Sequence, residues 1–459
     1  MNGERRSTVR LGLFVLALLL AGFLGLEFLR AGASPAVRIE SALRAIGRRT
    51  PVRVHVAEAR RGLRRVKVEF IQGGRSEVVA EKAYPVPPVI ALWRSGVRED
   101  TLSFEVGRET MRGLKAGHAS IRVTAAPAGT WLRRPPPVSE VLILPVRLAP
   151  PALEVLSTKT YVAQGGCEVV VYRVGEGAVR DGVQSGGLWF PGYPLPGGGP
   201  RERFAFWAVP YTQASPDARL VAEDDAQNRA EAAIVDRFFA RPLARDTVEL
   251  TDSFMNKVVA EIMAQTPDLA DRGGLLENYL AINGELRRRQ DEELRALAAR
   301  SEAAILWHRP FLPLPNGKVM ALFAQRRTYV YQGRRVDEQD HTGYDLAATQ
   351  RAPVPAANSG RVLLARYFGI YGNTVLIDHG CGLMSLYGHL SSVAVQEGQQ
   401  VERGDIIGRT GQTGLAGGDH LHHAMLLGGL PVNPVEWWDA HWIGDRVAAK
   451  LGAAWRFEP

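Results

Sequence analysis

The sequence is poor in cysteine and in lysine, and both shortages narrow the classes of protein to which it can belong. Two cysteines in 459 residues exclude a disulfide-stabilised scaffold and a zinc module built on cysteine ligands. Only seven of the 56 basic residues are lysines, so the net charge of +8 comes almost entirely from arginine. The arginines are scattered, without a long basic run or an RNA-binding pattern, so we expect no nucleic-acid partner. The 46% hydrophobic and 23% charged content indicates a globular chain rather than a disordered or polytopic membrane protein.

A long hydrophobic run lies near the amino terminus. Three arginines within the first ten residues precede an uncharged stretch from Leu11 to Leu26, and Arg30 closes the run. A spanning helix needs about 20 mainly apolar residues, and positive charge before it places the rest of the chain outside the cytoplasm. One interpretation is an uncleaved signal anchor. The alternative is a cleaved signal peptide, because Ala-Gly-Ala at 31–33 fits the small-x-small cleavage pattern.

Two regions after this run have the pattern of β-strands. Residues 52–56 and 65–70 alternate apolar and polar side chains, and Gly and Pro punctuate such runs at spacings that suit a β-sandwich. In the second region, AEDDAQN at 222–228 resembles the A-x-D-x-A-G-N turn of bacterial immunoglobulin-like modules, with Gln227 in place of the glycine. The sequence therefore predicts two immunoglobulin-like β-sandwich modules, whose role is spacing or docking.

Helical periodicity follows the second β region. Thr251 or Ser253 can cap a first helix, Asp-Arg-Gly-Gly at 271–274 breaks it, and a second helix is predicted from Leu275 to about Leu306. Dense charge of both signs favours a solvated linker with one packing stripe. The alternative is a regulatory arm that docks on the last domain.

Seven of the ten histidines lie after residue 340, in a region rich in β patterns and glycine. His341 and Asp345 are four residues apart across a glycine and can converge on one metal ion. His420 and His422 stand at positions i and i+2, which face the same side of a strand. His389 closes a further strand, so three short motifs supply candidate ligands.

These residue types match the ligand chemistry of zinc. Zinc favours histidine and carboxylate ligands, and catalytic sites keep one position open. His341, Asp345 and one histidine of the 420–422 pair make such a set of three, which leaves two histidines for proton transfer. No HExxH motif is present, so no glutamate is available as the base of that class of zinc protease.

The region after residue 340 resembles the LytM-type zinc metallopeptidases, the lysostaphin-like peptidase family M23. The matching text includes DHTGYDLAA at 340–348, GIYGNTVLIDHGCGLMSLYGHLS at 369–391 and GDHLHHAMLLGGLPVNPVEW at 418–437. The order HxxxD, GHL and HxH, with glycine turns between them, is specific to that family. The resemblance covers under a third of the chain.

The resemblance implies a role for each site residue. It makes His341, Asp345 and His422 the ligands of one zinc ion per chain, and it makes His389 and His420 the catalytic histidines. Which of those two is the general base stays open.

Two other histidines are expected to bind no metal. His379 matches an HG turn of the family, so a structural role is predicted for it. His423 stands where the family usually has Phe, and strand alternation points it away from His422. Because all five site positions are occupied, the pattern argues against the degenerate relatives that only activate amidases.

The family and the compartment together imply a function. The expected activity is hydrolysis of peptide cross-links in bacterial peptidoglycan, with D-alanyl–diaminopimelate as the bond in a Gram-negative envelope. The expected location is the periplasm, either anchored in the inner membrane or secreted if the signal is cleaved. An envelope protein is a further possible partner of the sandwich modules. The alternative is a non-hydrolytic envelope regulator that binds peptidoglycan or activates a cell-wall amidase.

We therefore predict a mainly β chain in five segments. Cys167 and Cys381 fall in different segments, so free or buried thiols are expected. The segments are a signal anchor or signal peptide at 1–33, β-sandwich modules at 34–150 and 151–245, a helical connector or regulatory segment at 246–307, and an M23-type peptidase domain at 308–459.

Overall fold

The computed structural model describes residues 2–32, 34–88 and 94–459. Met1, residues 89–93 and Ala33, the last residue of the predicted cleavage pattern, lie outside the described residues. The chain is mainly β, as predicted. It divides into two compact units, residues 1–150 with 223–229, and residues 151–222 with 230–459.

The first unit begins with the helix α1, Asn2–Arg30. Its segment Val9–Arg30 has a mean hydropathy of 2.3 and is long and apolar enough to cross a membrane. Seven antiparallel strands follow: β1 Ala36–Ser41, β2 Thr50–Ala57, β3 Leu63–Gln72, β4 Arg75–Ala83, β5 Glu99–Val106, β6 Gly117–Pro127 and β7 Val138–Val146.

These strands form two sheets around one apolar core. The sheet orders are β1-β2-β5 and β4-β3-β6-β7. Alternate side chains such as Val54, Val68 and Ile121 are buried in the shared core. The strands predicted at 52–56 and 65–70 are confirmed, and the immunoglobulin-like assignment stays a prediction.

The turn at residues 223–229 contains Gln227 at the position where the expected motif has glycine. The Asp224 carboxylate accepts hydrogen bonds from the backbone N–H groups of Ala226 and Asn228. Gln227 has φ +60°, the left-handed conformation in which glycine carries no steric penalty. The position therefore favours the glycine of the motif, and Gln227 occupies it at some conformational cost.

Ten short strands follow, and apart from residues 223–229 they belong to the second unit. Most pair antiparallel, in the sheets β13-β14-β10-β8 and β12-β11-β15-β16, while β17 pairs parallel with β9. The strands are β8 Leu153–Val155, β9 Tyr161–Ala163, β10 Cys167–Val174, β11 Ala178–Ser185, β12 Leu188–Pro191, β13 Tyr193–Pro194, β14 Glu202–Ala208, β15 Arg219–Asp224, β16 Arg229–Ala233 and β17 Arg237–Phe239.

The helical segment follows strand β18, Arg245–Leu250. Helix α2, Asp252–Gln265, starts at Thr251, whose side chain accepts the Phe254 N–H as a helix cap. The next helices form one run: α3 Leu275–Ala281, a π-helical turn at Ile282–Leu286, and α4 Arg287–Ala298.

The prediction that this second helix continues to about Leu306 is wrong, because side-chain and backbone bonds hold the following residues in an irregular path. Ser301 Oγ and the Glu302 N–H donate to the Asp378 carboxylate, at 2.6 and 2.8 Å. The Leu306 N–H donates to the carbonyl of His379. The chain therefore leaves the helix at Ala298 to lie along the turn at Asp378 and His379.

The prediction of a solvated linker is also wrong. Buried side chains of α2, such as Val258 and Ile262, share one apolar core with sheet residues such as Leu364, Leu376 and Leu426. In addition, β18 pairs parallel with the strand Gln325–Tyr331. The helical segment is therefore docked on the last part of the chain.

The remaining strands build the last region of the chain, from residue 308, around a large antiparallel sheet in the order β19-β22-β30-β26-β25-β24-β28, with β31 paired to β30. Smaller sheets are β18-β20-β21 and β23-β29-β27. The strands are β19 Lys318–Ala321, β20 Gln325–Tyr331, β21 Arg334–His341, β22 Tyr344–Ala347, β23 Pro353–Pro355, β24 Gly360–Tyr367, β25 Asn373–Asp378, β26 Leu383–Leu390, β27 Ser392–Val393, β28 Gln400–Val401, β29 Ile406–Arg409, β30 Leu421–Leu427 and β31 Leu430–Val432. A 3₁₀ turn at Gly369–Tyr371 precedes β25, and the chain ends with short helices α5 Pro434–Trp438 and α6 Ala440–Ile443, a π-helical turn at Gly444–Ala448, and α7 Ala449–Leu451.

Both faces of this large sheet are buried. Alternate residues of β30 divide between two apolar cores, since Leu421 and Met425 lie in one while Ala424 and Leu426 lie in the other. The second core is the one that contains the docked helices. His422 alternates with Leu421, so it is on the face of the sheet that carries those helices.

Candidate metal and catalytic site

Three neighbouring strands place the central residues of the site. Asp345 on β22 is paired in register with His422 on β30, and His422 is paired with Gly388 on β26. His341 ends β21 and His389 follows Gly388, so both come from strand ends beside this sheet. The structure therefore brings together residues from all three predicted motifs.

The predicted ligands His341, Asp345 and His422 are in mutual contact. His341 Nε2 lies 2.9 Å from Asp345 Oδ1 and 3.1 Å from His422 Nδ1. Asp345 Oδ1 and His422 Nδ1 are 3.0 Å apart. All three side chains are largely buried, and their candidate ligand atoms lie within 4.8 Å of one another.

The hydrogen bonding of this cluster fits a bound cation. His341 Nδ1 is 2.9 Å from the carbonyl oxygen of Leu322, which can only accept, so Nδ1 carries the proton and Nε2 presents a lone pair. That lone pair faces a carboxylate oxygen and a second imidazole nitrogen. Such a set needs a proton or a cation between its members, and two histidines with one carboxylate form a known type of zinc donor set.

Gly343 is needed for the close approach of these motifs. A Cβ atom at this position would lie 2.7 Å from the His423 carbonyl oxygen and 2.8 Å from the His422 ring. Either contact is too short for carbon, so any side chain would push β22 away from β30. The glycine between His341 and Asp345 therefore permits the convergence that the sequence predicted.

Arg327 is a functional candidate that the sequence analysis missed. Its Nη2 donates to Asp345 Oδ2 at 3.1 Å, on the opposite oxygen from the one that faces the histidines. The bond fixes the carboxylate and leaves Oδ1 for a metal ion. Arg327 lies on β20, whose sequence has no feature that distinguishes this arginine from the many others.

His389 and His420 lie beside these three residues. Their ring centroids are 4.8 Å apart, and the His389 ring is 5.8 Å from that of His422. His389 Nδ1 is 2.8 Å from the Thr413 carbonyl oxygen, and His420 Nδ1 is 2.8 Å from that of Gly418. Because each Nδ1 must donate, each Nε2 carries a lone pair, and that of His420 lies 3.6 Å from Asp345 Oδ1.

His389 has an unusual backbone conformation, with φ +63°. This left-handed conformation is rare for a residue with a side chain and is concentrated at functional sites. It occurs at the end of β26, where the strand leaves the sheet beside the site.

The pKa values of the clustered residues are shifted in different directions. Burial opposes ionisation of Asp345, but the adjacent His341 and hydrogen bonds with the histidines outweigh it and hold the pKa of Asp345 well below its usual range. Burial lowers the pKa of His422 to about 4 and, with the neighbouring His420, holds that of His389 well below normal. Burial also acts against the charge on His420, but Asp345 leaves its pKa raised.

A cleft of about 330 Å³ opens onto the five site residues. The docked helical segment forms one wall of it through Phe254, Tyr279 and Arg287. Tyr371 is a further wall residue, with its ring centroid 5.5 Å from that of His422. The segment predicted as a connector thus contributes directly to the surroundings of the site.

The other singled-out residues lie outside the cluster. His379 is fully buried and contacts the Ser359 carbonyl and Ser385 Oγ, as expected for a structural residue. His423 points to the opposite face from His422, where it packs between Tyr387 and Trp438. The two cysteines are free and buried, as predicted.

Comparison with known proteins identifies this region. The sequence profile of peptidase family M23 matches residues 339–434, which include all five predicted site residues. The DD-carboxypeptidase/endopeptidase Mpg of Neisseria meningitidis is 45% identical over 95 residues, 21% of this chain and 22% of that protein. The peptidoglycan DD-endopeptidase ShyA of Vibrio cholerae is 29% identical over 180 residues, 39% of each chain. The chain therefore spans well under half the length of these curated relatives.

A solved structure of the catalytic domain of lysostaphin from Staphylococcus simulans is also similar. It is 27% identical, with a TM-score of 0.23, and the match covers 27% of this chain and 94% of that one. From the profile match and the curated relatives, this chain contains a domain of peptidase family M23.

Proposed function

We propose that the protein is a zinc-dependent endopeptidase that hydrolyses peptide cross-links of bacterial peptidoglycan. The observation that carries the proposal is the convergence of His341, Asp345 and His422 at 2.9–3.1 Å, beside two further histidines in the same cleft. The family match supports a peptidase, and the names of the curated relatives support peptidoglycan as the substrate.

His341, Asp345 and His422 would hold the metal ion. A zinc ion held by two histidines and a carboxylate supplies a Lewis acid for a water molecule and a substrate carbonyl. Arg327 keeps Asp345 oriented through its second oxygen. The Leu322 carbonyl fixes the tautomer of His341, so the protein presents lone pairs rather than N–H groups to the cation.

His389 and His420 would move the protons. Each holds its Nδ1 proton on a backbone carbonyl, so each Nε2 can accept a proton from the attacking water and later deliver one to the leaving amine. A protonated imidazole can also stabilise the developing oxyanion. Two such rings 4.8 Å apart can divide these steps between them.

We further propose that α1 anchors the protein in the inner membrane, with the peptidase in the periplasm. Glu27 near the end of α1 is fully buried, 2.9 Å from Arg30 Nη1 and 3.8 Å from Arg61 Nη1. The Arg61 side chain is only 1% exposed. Cleavage after α1 would leave this buried arginine without the nearby carboxylate, which is unfavourable. The contact therefore supports an uncleaved anchor over a cleaved signal peptide.

The test is the release of soluble muropeptides from purified Gram-negative peptidoglycan. The full chain is compared with His422→Ala and His389→Ala, and His118→Ala in the first unit is the control. We expect release by the wild type and the control, and at least a hundredfold loss in both site variants. Mass spectrometry of the products should show cleaved D-alanyl–diaminopimelate bonds.

A chain that binds zinc but cleaves no peptidoglycan of any cross-link type would contradict the proposal. That outcome would favour the alternative of a non-hydrolytic envelope regulator.

A further inference from the structure

The loop between β29 and β30 holds both catalytic histidines through its backbone. The carbonyl oxygen of Thr413 accepts the Nδ1 proton of His389, and that of Gly418 accepts the Nδ1 proton of His420. The orientation of each ring therefore depends on the position of a peptide group in residues 410–419, which we call the histidine loop.

Helix α2 contacts this loop with two charged side chains. The Gly414 N–H donates to Glu261 Oε1 at 2.7 Å, and Tyr367 Oη donates to the same oxygen at 3.1 Å. One turn earlier, Lys257 Nζ donates to Gln412 Oε1 at 3.1 Å. The docked helix thus binds the loop from the side of the predicted connector.

The Glu261 bond and the His389 bond belong to the two ends of one peptide group. A trans peptide is planar, so the Thr413 carbonyl and the Gly414 N–H point in opposite directions and turn together. Glu261 fixes the N–H end while His389 uses the carbonyl end. The order of contacts is Glu261 carboxylate, Gly414 N–H, Thr413 carbonyl and His389 Nδ1–H.

Other contacts hold the Thr413 side chain without fixing this plane. Thr413 Oγ1 donates to the Leu390 carbonyl and accepts the Asn373 N–H, both at 3.0 Å. Those bonds fix Oγ1. The Glu261 bond acts on the 413–414 peptide itself, where Gly414, with φ +71°, approaches the backbone of Ile370 and Gly372 closely.

We infer that Glu261 is a positioning residue for His389, acting through the peptide group between Thr413 and Gly414. The inference rests on the proposed function, in which His389 transfers a proton. A charge-assisted bond to the N–H also polarises the peptide and strengthens its carbonyl as an acceptor. The helical segment is then part of the catalytic machinery rather than a spacer.

The experiment compares the full chain with Glu261→Ala and Glu261→Gln on a soluble cross-linked muropeptide dimer. A glutamine oxygen still accepts the Gly414 N–H, whereas alanine accepts nothing. We expect kcat to fall about tenfold or more in Glu261→Ala, with KM and zinc per chain unchanged, and to stay within about threefold in Glu261→Gln. Hydrogen exchange at the Gly414 amide should accelerate in the alanine variant alone.

The matched control is Glu293→Ala, which removes a carboxylate that pairs with Arg366 from the same helical segment. Wild-type kcat in Glu261→Ala would overturn the inference, as would an equal loss in the control or the glutamine variant, or a loss that follows zinc content. Absence of turnover in the zinc-loaded wild type would instead refute the proposed function, and this role with it.

Discussion

Residue by residue, the site depends on which nitrogen of each imidazole is free. Three of its histidines donate Nδ1–H to a backbone carbonyl, which leaves Nε2 available toward the cleft. The pairs are His341 with Leu322, His389 with Thr413, and His420 with Gly418. Loop backbone, rather than acidic side chains, therefore sets the tautomers at this site.

Glu436 is a buried acid away from the site, and it predicts a pH dependence of stability. Its Oε2 accepts the Cys167 N–H at 2.7 Å, and burial raises its pKa to about 8. The unfolded chain loses this proton near pH 4.5, while the folded chain keeps it to about pH 8. The free energy of unfolding should therefore fall as pH rises between these values, by up to about 1.4 kcal/mol per pH unit.

The check is urea unfolding of residues 34–459 between pH 5 and pH 8, for wild type and Glu436→Gln. The amide keeps the bond to Cys167 but does not titrate, so its stability should fall less over this range. Parallel pH profiles for the two proteins would show that Glu436 ionises normally in the folded state.

Spacing and strand alternation predicted that His341 and Asp345 can converge and that His420 and His422 face the same side of a strand. The choice of His422 as the third ligand, and the meeting of the separate motifs, followed only from the family resemblance. His341 with Asp345, and His420 with His422, are each contained in one short motif. Arg327 and Glu261 could not be predicted in this way. Their contacts join residues 18 and 153 positions apart in sequence, and the partner of Glu261 is a backbone amide with no sequence signal.

Among the elements, the docked helical segment differs most from its predicted character. Its many charges predicted exposure to solvent. Instead, the buried side chains of α2 pack on one face of the large sheet, and the strand patterns alone do not indicate what covers that face. Of the two predicted caps the structure uses Thr251, and the predicted break at 271–274 lies between α2 and α3, although α2 already ends at Gln265. The second helix ends at Ala298 rather than near Leu306, because hydrogen bonds to Asp378 and His379 hold the following residues in an irregular path.

This packing predicts how fragments behave. A fragment of residues 308–459 lacks β18 and the helices, and so exposes apolar residues such as Leu364, Leu376 and Leu426. It also loses the contact of Phe206 with Trp437. We expect it to lack a cooperative unfolding transition, whereas residues 151–459 should show one. Circular dichroism during heating compares the two fragments. A stable, active 308–459 fragment would show that this region folds without residues 151–307.

For the molecule as a whole, the division of the chain into five domains stays a prediction. What the structure adds is that the second β region apart from residues 223–229, the helices and the sheet of the peptidase domain belong to one compact unit. The sequence could not indicate this, because a shared core between consecutive regions leaves no local pattern. It did identify α1 as a candidate membrane span, since an apolar run of this length is itself the signal.

The anchor proposal makes a prediction for the intact protein. The full chain should sediment with membranes and keep its amino terminus, as measured by intact mass, and a chain starting at residue 34 should be soluble. A mature protein that begins near residue 34 would instead establish a cleaved signal peptide.

The proposed function requires that His341, Asp345 and His422 hold one zinc ion on which the reaction depends. The most direct test measures zinc per chain and muropeptide release on the same sample, as purified, after chelation and after zinc is restored. We expect about one zinc per chain, parallel loss and recovery of activity, and neither zinc nor activity in Asp345→Ala. Full activity after complete zinc removal, or undiminished zinc in Asp345→Ala, would contradict a zinc-dependent reaction at this site.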